Sequence, residues 1–290
     1  MGKISKAGVV LRGVAQNKEL KFVVGLSTPI TQTILEAHKP SAQGLLAMSR
    51  AATAVGLLSA TLKGRQQVGI QVNGDGPLGE LYALSNAQGE LRVTANQPAA
   101  AAEPETEVSP VVGQGRFTLI KTSDAGEPYR GTVPIFTGGI AEDLAYYFMF
   151  SEQIPTACGL GESITDDGLI TGGYLVQSLP NPSDETLRTL EQRVVTIPPL
   201  KSILNAEHPL DDLLELLFMD DYEVLEESTI SFKCPCERPK FARTLLTLGK
   251  AELTQIREED GEMNISCHFC GENYHFNYEE IGALIVGARD

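Results

Sequence analysis

The stretch of sequence that decides the fold lies near the C-terminus, where residues 234–236 read C-P-C and residues 267–270 read C-H-F-C. The thirty residues 237–266 separate these two cysteine pairs. Each pair can supply two thiolates from one tight turn, and the segment between them is long enough to fold back and bring the turns together. The spacing therefore predicts a closed tetrahedral site for one Zn²⁺ per chain. The predicted ligands are the four paired cysteines, Cys234, Cys236, Cys267 and Cys270.

Two other uses of these cysteines fit the sequence less well. A secreted disulfide framework is disfavoured because no signal peptide opens the chain and only five cysteines occur in 290 residues. A thioredoxin-like centre needs its C-x-x-C motif at the start of a helix, whereas the turn-like residues 271–273 and the strand-like residues 274–276 follow Cys270. The ligand set stays open in one respect, because His268 and His275 are close enough in sequence to compete with the cysteines.

The composition indicates a globular chain of about two domains. It is 42% hydrophobic and 21% charged, and its net charge of −15 disfavours nucleic acid and anionic membranes as partners. The most apolar stretch, residues 41–62, contains Arg50 and several hydroxyl and amide side chains, so we predict a buried core helix and no membrane span. Cysteines paired for a metal favour a reducing compartment, and the predicted location is cytoplasmic.

The first 179 residues carry alternating strand and helix patterns. In chain order these predict a hairpin over 6–26, a helix with Thr28 as N-cap and Pro29 as its first residue, the helix 41–62, a β-meander over 66–95, strands at 117–121 and 133–136, a helix over 140–150 and a last core strand over 169–179. The predicted fold class is an α/β (α+β) core domain, residues 1–179, with meander-type sheets around a buried central helix.

Two motifs in this core look functional but are assigned no chemistry. Residues 74–79 fit G-x-G-x-x-G, yet a strand pattern follows them where a dinucleotide site needs a helix. We interpret them as a turn of the meander. Cys158 is isolated in the sequence, and such a cysteine is usually a small buried hydrophobic residue.

The composition of the chain changes over residues 180–230, where prolines interrupt the sequence pattern and acidic residues are frequent. We predict a linker of short helices, the first capped by Ser183 and the last starting near Pro209. Short helices of this kind are only marginally stable by themselves and need a surface on which to dock. They form either an ordinary connector or a layer that can be released to expose its apolar residues. The apolar residues of the last helix are Leu213, Leu214, Leu216, Leu217 and Phe218.

The remaining segment, residues 231–290, forms the predicted C-terminal zinc domain. A segment of this length buries too little apolar surface to stay folded by itself. Metal binding must therefore supply much of its folding free energy. Removal of the metal is then expected to unfold the segment.

Several motifs spread over the whole chain resemble one known family, the redox-regulated heat-shock holdases called the 33-kDa chaperonin or heat shock protein 33. They are N-G-D-G-P-L-G at 73–79, G-E-P-Y-R-G-T-V-P at 126–134, G-G-I-A-E-D-L-A-Y-Y-F-M-F-S-E-Q-I-P at 138–155, C-P-C-E-R at 234–238, L-L-T-L-G-K-A-E-L at 245–253, I-R-E-E-D-G at 256–261, C-H-F-C at 267–270 and Y-H-F at 274–276.

The resemblance implies an ATP-independent chaperone, without enzymatic activity, that is silent when reduced and zinc-bound. It also implies oxidation within each cysteine pair, giving the disulfides Cys234–Cys236 and Cys267–Cys270, followed by zinc loss and unfolding of the C-terminal part. Unfolding protein clients are the implied partners, with a homodimer possible on oxidation. We expect the apolar face of the last linker helix, 213–218, to become available to clients.

Two other classes of function stay open beside this one. A constitutive zinc-ribbon adaptor would bind a fixed partner and keep its zinc under peroxide. A thiol-disulfide oxidoreductase using Cys267 and Cys270 would turn over a dithiol substrate, which an insulin-reduction assay detects.

Overall fold

The computed structural model describes residues 7–104, 107–123, 128–165 and 168–288. The chain divides into two compact units, Met1–Lys233 and Cys234–Asp290. The first residue of the predicted N-terminal hairpin, Lys6, lies outside the described residues.

Within the described residues, the larger unit is built on one ten-stranded sheet. Its strands are β1 (Gly8–Ala15), β2 (Leu20–Leu26), β3 (Gln67–Gly74), β4 (Glu80–Asn86), β5 (Glu90–Ala95), β6 (Gly115–Thr122), β7 (Tyr129–Pro134), β8 (Thr156–Thr165), β9 (Gly168–Ser178) and β10 (Tyr222–Phe232). They lie in the order β7-β6-β3-β4-β5-β10-β1-β2-β9-β8. Neighbouring strands run antiparallel except β10 and β5, which are parallel.

Helices pack on both faces of this sheet. Those described are α1 (Thr28–His38), α2 (Ala42–Ser59), α3 (Ser109–Val112), α4 (Ala141–Ser151), α5 (Asp184–Thr196), α6 (Leu200–Leu204) and α7 (Pro209–Phe218). The mixed architecture confirms the predicted fold class.

Helix α2 is the centre of the larger unit. The hydroxyl of Ser41 caps its first turn by accepting the Gly44 N–H at 3.0 Å, which satisfies one of the donors that a helix start leaves free. A Cβ at Gly44 would collide with the carbonyl oxygen of Pro98, so the close approach of this loop requires glycine. The helix is buried on nearly all sides and contacts β2, β3, β4, β5, β8 and β9. Its one cation, Arg50, makes a two-pronged ion pair with Glu162 (Nη2–Oε1 2.7 Å, Nε–Oε2 3.2 Å).

Most local predictions for the core are confirmed, including the N-terminal hairpin, the meander and α4. Three need correction. The N-cap of α1 is Ser27, with Thr28 already helical. Strand β7 ends at Pro134, and Phe136 lies outside it, because the N–H groups of Phe136 and Thr137 donate to the Asp143 carboxylate and not to β6. β9 is not the last core strand, because β10 enters the sheet between β5 and β1.

Strand β10 escaped prediction because its acidic residues hide a strand pattern. It pairs with β1 from Gly8↔Ile230 to Ala15↔Tyr222. Glu226 forms an ion pair with Arg12, and Glu223 forms one with Lys18 at 3.3 Å. The segment 180–230 is therefore not helical throughout, because its last residues belong to β10.

Helices α5, α6 and α7 cover the outer face of β1, β2 and β9. Ser183 caps α5 by accepting the Thr186 N–H at 3.2 Å, as predicted. The apolar side chains of these helices share one cluster with Leu20, Phe22 and Val24 of β2. The helical layer is thus docked on the sheet in this structure.

Within its described residues, 234–288, the smaller unit contains three α-helices, a short 3-10 helix (Leu246–Leu248) and a β-hairpin. The α-helices and strands are α8 (Arg238–Leu245), α9 (Lys250–Glu259), β11 (Met263–Ser266), β12 (Asn273–Phe276) and α10 (Tyr278–Gly287). Its buried apolar cluster consists of Leu245, Leu253, Phe276, Ile281 and Ala288. So small a core supplies little hydrophobic stabilisation, which agrees with the need for another source of folding free energy.

Candidate metal centre

Two segments of the smaller unit carry the four paired cysteines. Cys234 and Cys236 lie in the extended segment immediately before α8, and the other pair lies in the turn that joins β11 to β12. In that turn the Cys267 N–H donates to the Glu272 carbonyl and the Gly271 N–H donates to the Cys267 carbonyl, each at 2.8 Å. Gly271 has a φ of +71°, a conformation that glycine adopts without strain.

The four sulfurs form a single cluster. One ligand atom from each of Cys234, Cys236, Cys267 and Cys270 lies within 4.8 Å of the others. The contacts across the two pairs are Cys234 Sγ to Cys267 Sγ at 3.6 Å and Cys236 Sγ to Cys270 Sγ at 3.3 Å. A Zn–S bond of about 2.3 Å implies sulfurs about 3.8 Å apart at the corners of a tetrahedron. The donor set and its spacing therefore fit a four-thiolate metal site.

Neither nearby histidine belongs to this cluster among the described residues. Nε2 of His275 lies 3.0 Å from Oε2 of Glu262, and its side chain is half exposed. His268 is exposed to solvent. The sequence left open whether these histidines compete with the cysteines as metal ligands. In the structure their side chains are not placed to do so.

Backbone donors favour the ionised form of one sulfur in particular. Burial raises the pKa of Cys267, but the backbone N–H groups of Cys270 and Phe269 donate to its sulfur and hold the pKa below its ordinary value. Burial raises the pKa of Cys234 to about 11. Since a metal binds thiolates, its binding to this cluster must release protons.

Tyr274, on β12, contacts the cluster from outside. Its hydroxyl donates to Sγ of Cys236 at 3.2 Å. Its ring stacks on Phe241 of α8 with centroids 4.6 Å apart. Sequence reasoning recognised the strand at 274–276 but assigned Tyr274 no contact with the cysteines. The available signal was its position four residues after Cys270, on the strand that leaves the turn.

Arg238 connects the segment that carries Cys234 and Cys236 to the C-terminal part of the unit. Its Nη2 donates to the His275 carbonyl at 2.6 Å and to Oε2 of Glu280 at 2.8 Å. Its guanidinium lies 4.5 Å from the ring centroid of Phe276. Because Arg238 is two residues from Cys236, these contacts orient the extended segment that presents Cys234 and Cys236.

Cys158 lies apart from the cluster, on β8 of the larger unit, opposite Leu175 of β9. It is partly buried and packs against the main core. Burial raises its pKa well above the ordinary range, so the thiol stays protonated at neutral pH.

The predicted client-binding residues lie on α7 of the larger unit. Leu213, Leu214, Leu217 and Phe218 are buried, and Leu216 is 40% exposed. In this structure their apolar face is used for docking on the sheet.

Comparison with known proteins identifies the family. The model of the "Hsp33 protein" family matches residues 9–277. The "33 kDa chaperonin" of Streptococcus agalactiae serotype Ia is 32% identical over 283 residues, covering 95% of this chain and 97% of the relative. That of Geobacillus sp. is 35% identical over 283 residues, covering 95% and 96%.

A solved structure is similar over nearly the whole length of the chain. The crystal structure of the 33 kDa chaperonin (heat shock protein 33 homolog) from Thermotoga maritima has a TM-score of 0.91 and 27% identity, covering 98% of this chain and 99% of that one. Within the described residues, we find no helix that combines the length and apolar character needed to cross a membrane. The family match and the curated relatives together place this chain in the Hsp33 family.

Proposed function

We propose that this protein is a redox-regulated, ATP-independent chaperone of the holdase type, without enzymatic activity. The observation that carries the proposal is a cluster of four cysteines in the small unit of a chain that belongs to the Hsp33 family. The names of the curated relatives, "33 kDa chaperonin", support the chaperone part. We further propose a cytoplasmic location and no nucleic-acid or membrane partner, in line with the net charge of −15.

The proposed domain organisation is a core domain over residues 1–179, a linker over 180–230 and a switch domain over 231–290. The four cysteines would hold one Zn²⁺ per chain. Such an ion supplies about 10–16 kcal/mol of apparent binding free energy in small zinc peptides, while whole domains are stable by only about 5–15 kcal/mol. The small apolar core of the switch domain makes its folding depend on this contribution.

Oxidation by peroxide converts the thiolates into disulfides, proposed as Cys234–Cys236 and Cys267–Cys270. For each pair, two electrons pass from sulfur to peroxide, one sulfur–sulfur bond forms, the oxygen–oxygen bond breaks, and two protons complete two waters. Each disulfide removes two ligands. The shortest sulfur contacts cross between the pairs, so the pairing rests on the family resemblance and must be mapped by mass spectrometry.

Strand β10 offers a route from the switch domain to the linker helices. It begins four residues after the end of α7 and ends two residues before Cys234. Its C-terminal end is attached to β5 by two register pairs, Ser231↔Glu90 and Phe232↔Leu91. Unfolding beyond Cys234 would release this end, and fraying of β10 toward Tyr222 would loosen α7 from the sheet.

The released face of α7 is the proposed binding surface for unfolding or oxidatively damaged proteins. Its residues are Leu213, Leu214, Leu216, Leu217 and Phe218. Homodimer formation on oxidation is part of the same proposal, because a second copy exposing the same face could cover part of it.

The deciding experiment is light scattering from a thermally unfolding client. The protein is added either reduced and zinc-loaded or after warm peroxide treatment. We expect suppression of aggregation only by the oxidised form. Absence of suppression in both forms contradicts the chaperone, and zinc retained under peroxide would favour a constitutive zinc-ribbon adaptor.

Hydrogen exchange tests the linker separately. Peptides covering residues 205–220 should lose protection after peroxide treatment. Equal protection before and after treatment would exclude α7 as the exposed face while leaving the redox chemistry intact.

A further inference from the structure

A tyrosine contacts one of the four clustered sulfurs and is positioned by packing from a second element. The Tyr274 hydroxyl donates to Sγ of Cys236 at 3.2 Å. The rings of Tyr274 and Phe241 stack at 4.6 Å with an interplanar angle of 30°. Tyr274 is also fixed along its backbone, because it pairs with Ile265 across the β11–β12 hairpin. Strand pairing on one side and ring stacking on the other thus hold the hydroxyl against Cys236.

This contact distinguishes Cys236 from the other cysteines. Among the described residues, the sulfurs of Cys267 and Cys270 receive backbone N–H groups and contacts from other cysteines. The sulfur of Cys234 likewise has backbone and cysteine partners. Cys236 accepts a hydrogen bond from a side-chain hydroxyl that lies outside both cysteine-bearing segments, 234–236 and 267–270.

A hydrogen bond of this kind changes how a thiolate reacts. An O–H donor draws electron density from sulfur and stabilises the thiolate before it reacts. In the reaction with peroxide the sulfur lone pair attacks one oxygen, the oxygen–oxygen bond breaks, and hydroxide leaves a sulfenic acid. A neighbouring thiolate then attacks that sulfur and expels a second hydroxide as the disulfide forms. The hydrogen bond weakens as sulfur loses its negative charge, so the donor slows the first step.

We propose that Tyr274 is a positioning residue whose hydroxyl restrains the oxidation of Cys236 and so sets how readily this cysteine pair responds to oxidant. The inference rests on the proposed redox function and adds a residue outside the ligand set to its regulation. Among the described residues, the hydrogen bond of this hydroxyl goes to Sγ of Cys236, so its effect is expected to be largest at that position of the cluster.

Three variants separate the hydroxyl from the ring. Tyr274→Phe removes the donor and keeps the stacking. Phe241→Leu loosens the stacking and keeps the donor. Tyr278→Phe is the matched control, because Tyr278 is half exposed and its ring faces the guanidinium of Arg257 at 4.0 Å.

The experiment measures each cysteine in the full-length chain. Reduced protein receives a short pulse of limiting peroxide, remaining thiols are trapped by isotope-coded alkylation, and oxidation at Cys236 is expressed relative to Cys267. Cobalt is then substituted into the site and its thiolate-to-metal charge-transfer band is recorded. A zinc competition titration with a chelator reports the affinity.

For Tyr274→Phe we expect the Cys236-to-Cys267 oxidation ratio to rise about two- to tenfold, the range that one net hydrogen bond covers. The charge-transfer band should move to longer wavelength, with zinc affinity within about twofold of the parent. Phe241→Leu should shift the ratio in the same direction and by less, and Tyr278→Phe should leave all three readouts unchanged.

Two results would overturn the inference. An unchanged ratio and an unchanged band mean that the hydroxyl does not act on Cys236. Faster oxidation of all four cysteines together with weaker zinc binding means that Tyr274 only supports packing. A parent chain that takes up no metal would instead contradict the proposed zinc centre, and the oxidation ratio would still decide the role of Tyr274.

Discussion

The rings of Phe22 and Phe218 are in contact, with centroids 5.1 Å apart and an interplanar angle of 34°. Phe22 lies on β2 and Phe218 is the last residue of α7, and both side chains are almost completely buried. This contact joins the helix proposed to bind clients to the sheet of the larger unit. Exposure of the apolar face of α7 must therefore break it.

Phe218→Ala should weaken the docking of α7 without touching the cysteines. Removal of a buried aromatic ring typically costs about 3–5 kcal/mol. We expect faster hydrogen exchange over residues 209–218 and partial suppression of client aggregation by the reduced protein. Leu216→Ala, at a 40% exposed position of the same helix, is the exchange control. If hydrogen exchange over residues 209–218 is unchanged in Phe218→Ala, then this ring does not hold α7 on the sheet.

Cys267→Ser should abolish stoichiometric metal binding. The variant loses one of the four clustered thiolates. Loss of a residue that only supports a metal ligand typically lowers metal affinity by about 10- to 100-fold, so we expect loss of a ligand to lower zinc affinity by more than about 100-fold. Residues 234–290 should then lose dispersed amide signals in an NMR spectrum. Cys158→Ala is the control, because Cys158 lies outside the cluster. Full zinc content in Cys267→Ser would contradict the four-thiolate site.

Glu19 should make the docking of α5 sensitive to acid. Hydrogen bonds from the side chain of Thr186 and from the backbone and side chain of Ser183 lower the pKa of Glu19 below 4.5. A carboxyl whose pKa is lower when folded contributes stability that is complete above its unfolded pKa and is lost as pH falls through the folded value. The protection factors of residues 184–196, which correct hydrogen exchange for the pH dependence of its intrinsic rate, should therefore fall as the pH falls below 4.5.

Glu19→Gln should weaken that pH dependence, because the amide does not titrate. Glu191→Gln, on the exposed side of α5, should keep the parental profile. If Glu19→Gln and the parent show the same acid response, then another group controls the docking of this helix.

Arg238→Lys should speed the loss of metal to a chelator. Lysine keeps the charge but lacks the planar guanidinium that reaches both the His275 carbonyl and Glu280 while covering Phe276. Since the Arg238–Glu280 pair is partly exposed, we expect a modest effect of about two- to tenfold in the release rate. Arg243→Lys, exposed at the end of α8, is the matched substitution. Equal release rates in both variants would contradict an orienting role for Arg238.

Features carried by neighbouring residues were determined by the sequence alone. Two cysteines in one turn form a recognisable pair whatever the rest of the chain does, and the gap over 237–266 is long enough to bring the second pair back. Helix α2 was predictable because a segment apolar on all sides can only be buried. The meander over 66–95 was predictable because alternation and turn residues are local signals.

Tertiary structure decided what depends on residues far apart in the chain. Strand β10 joins the sheet through partners such as Arg12 and Glu226, which are 214 residues apart, so its acidic sequence does not reveal the pairing. The contact of Tyr274 with Cys236 spans 38 residues and depends on how the hairpin folds back on the segment that carries Cys234 and Cys236. Spacing along the chain identifies which groups can meet, but the strand register and the packing of rings decide which of them do.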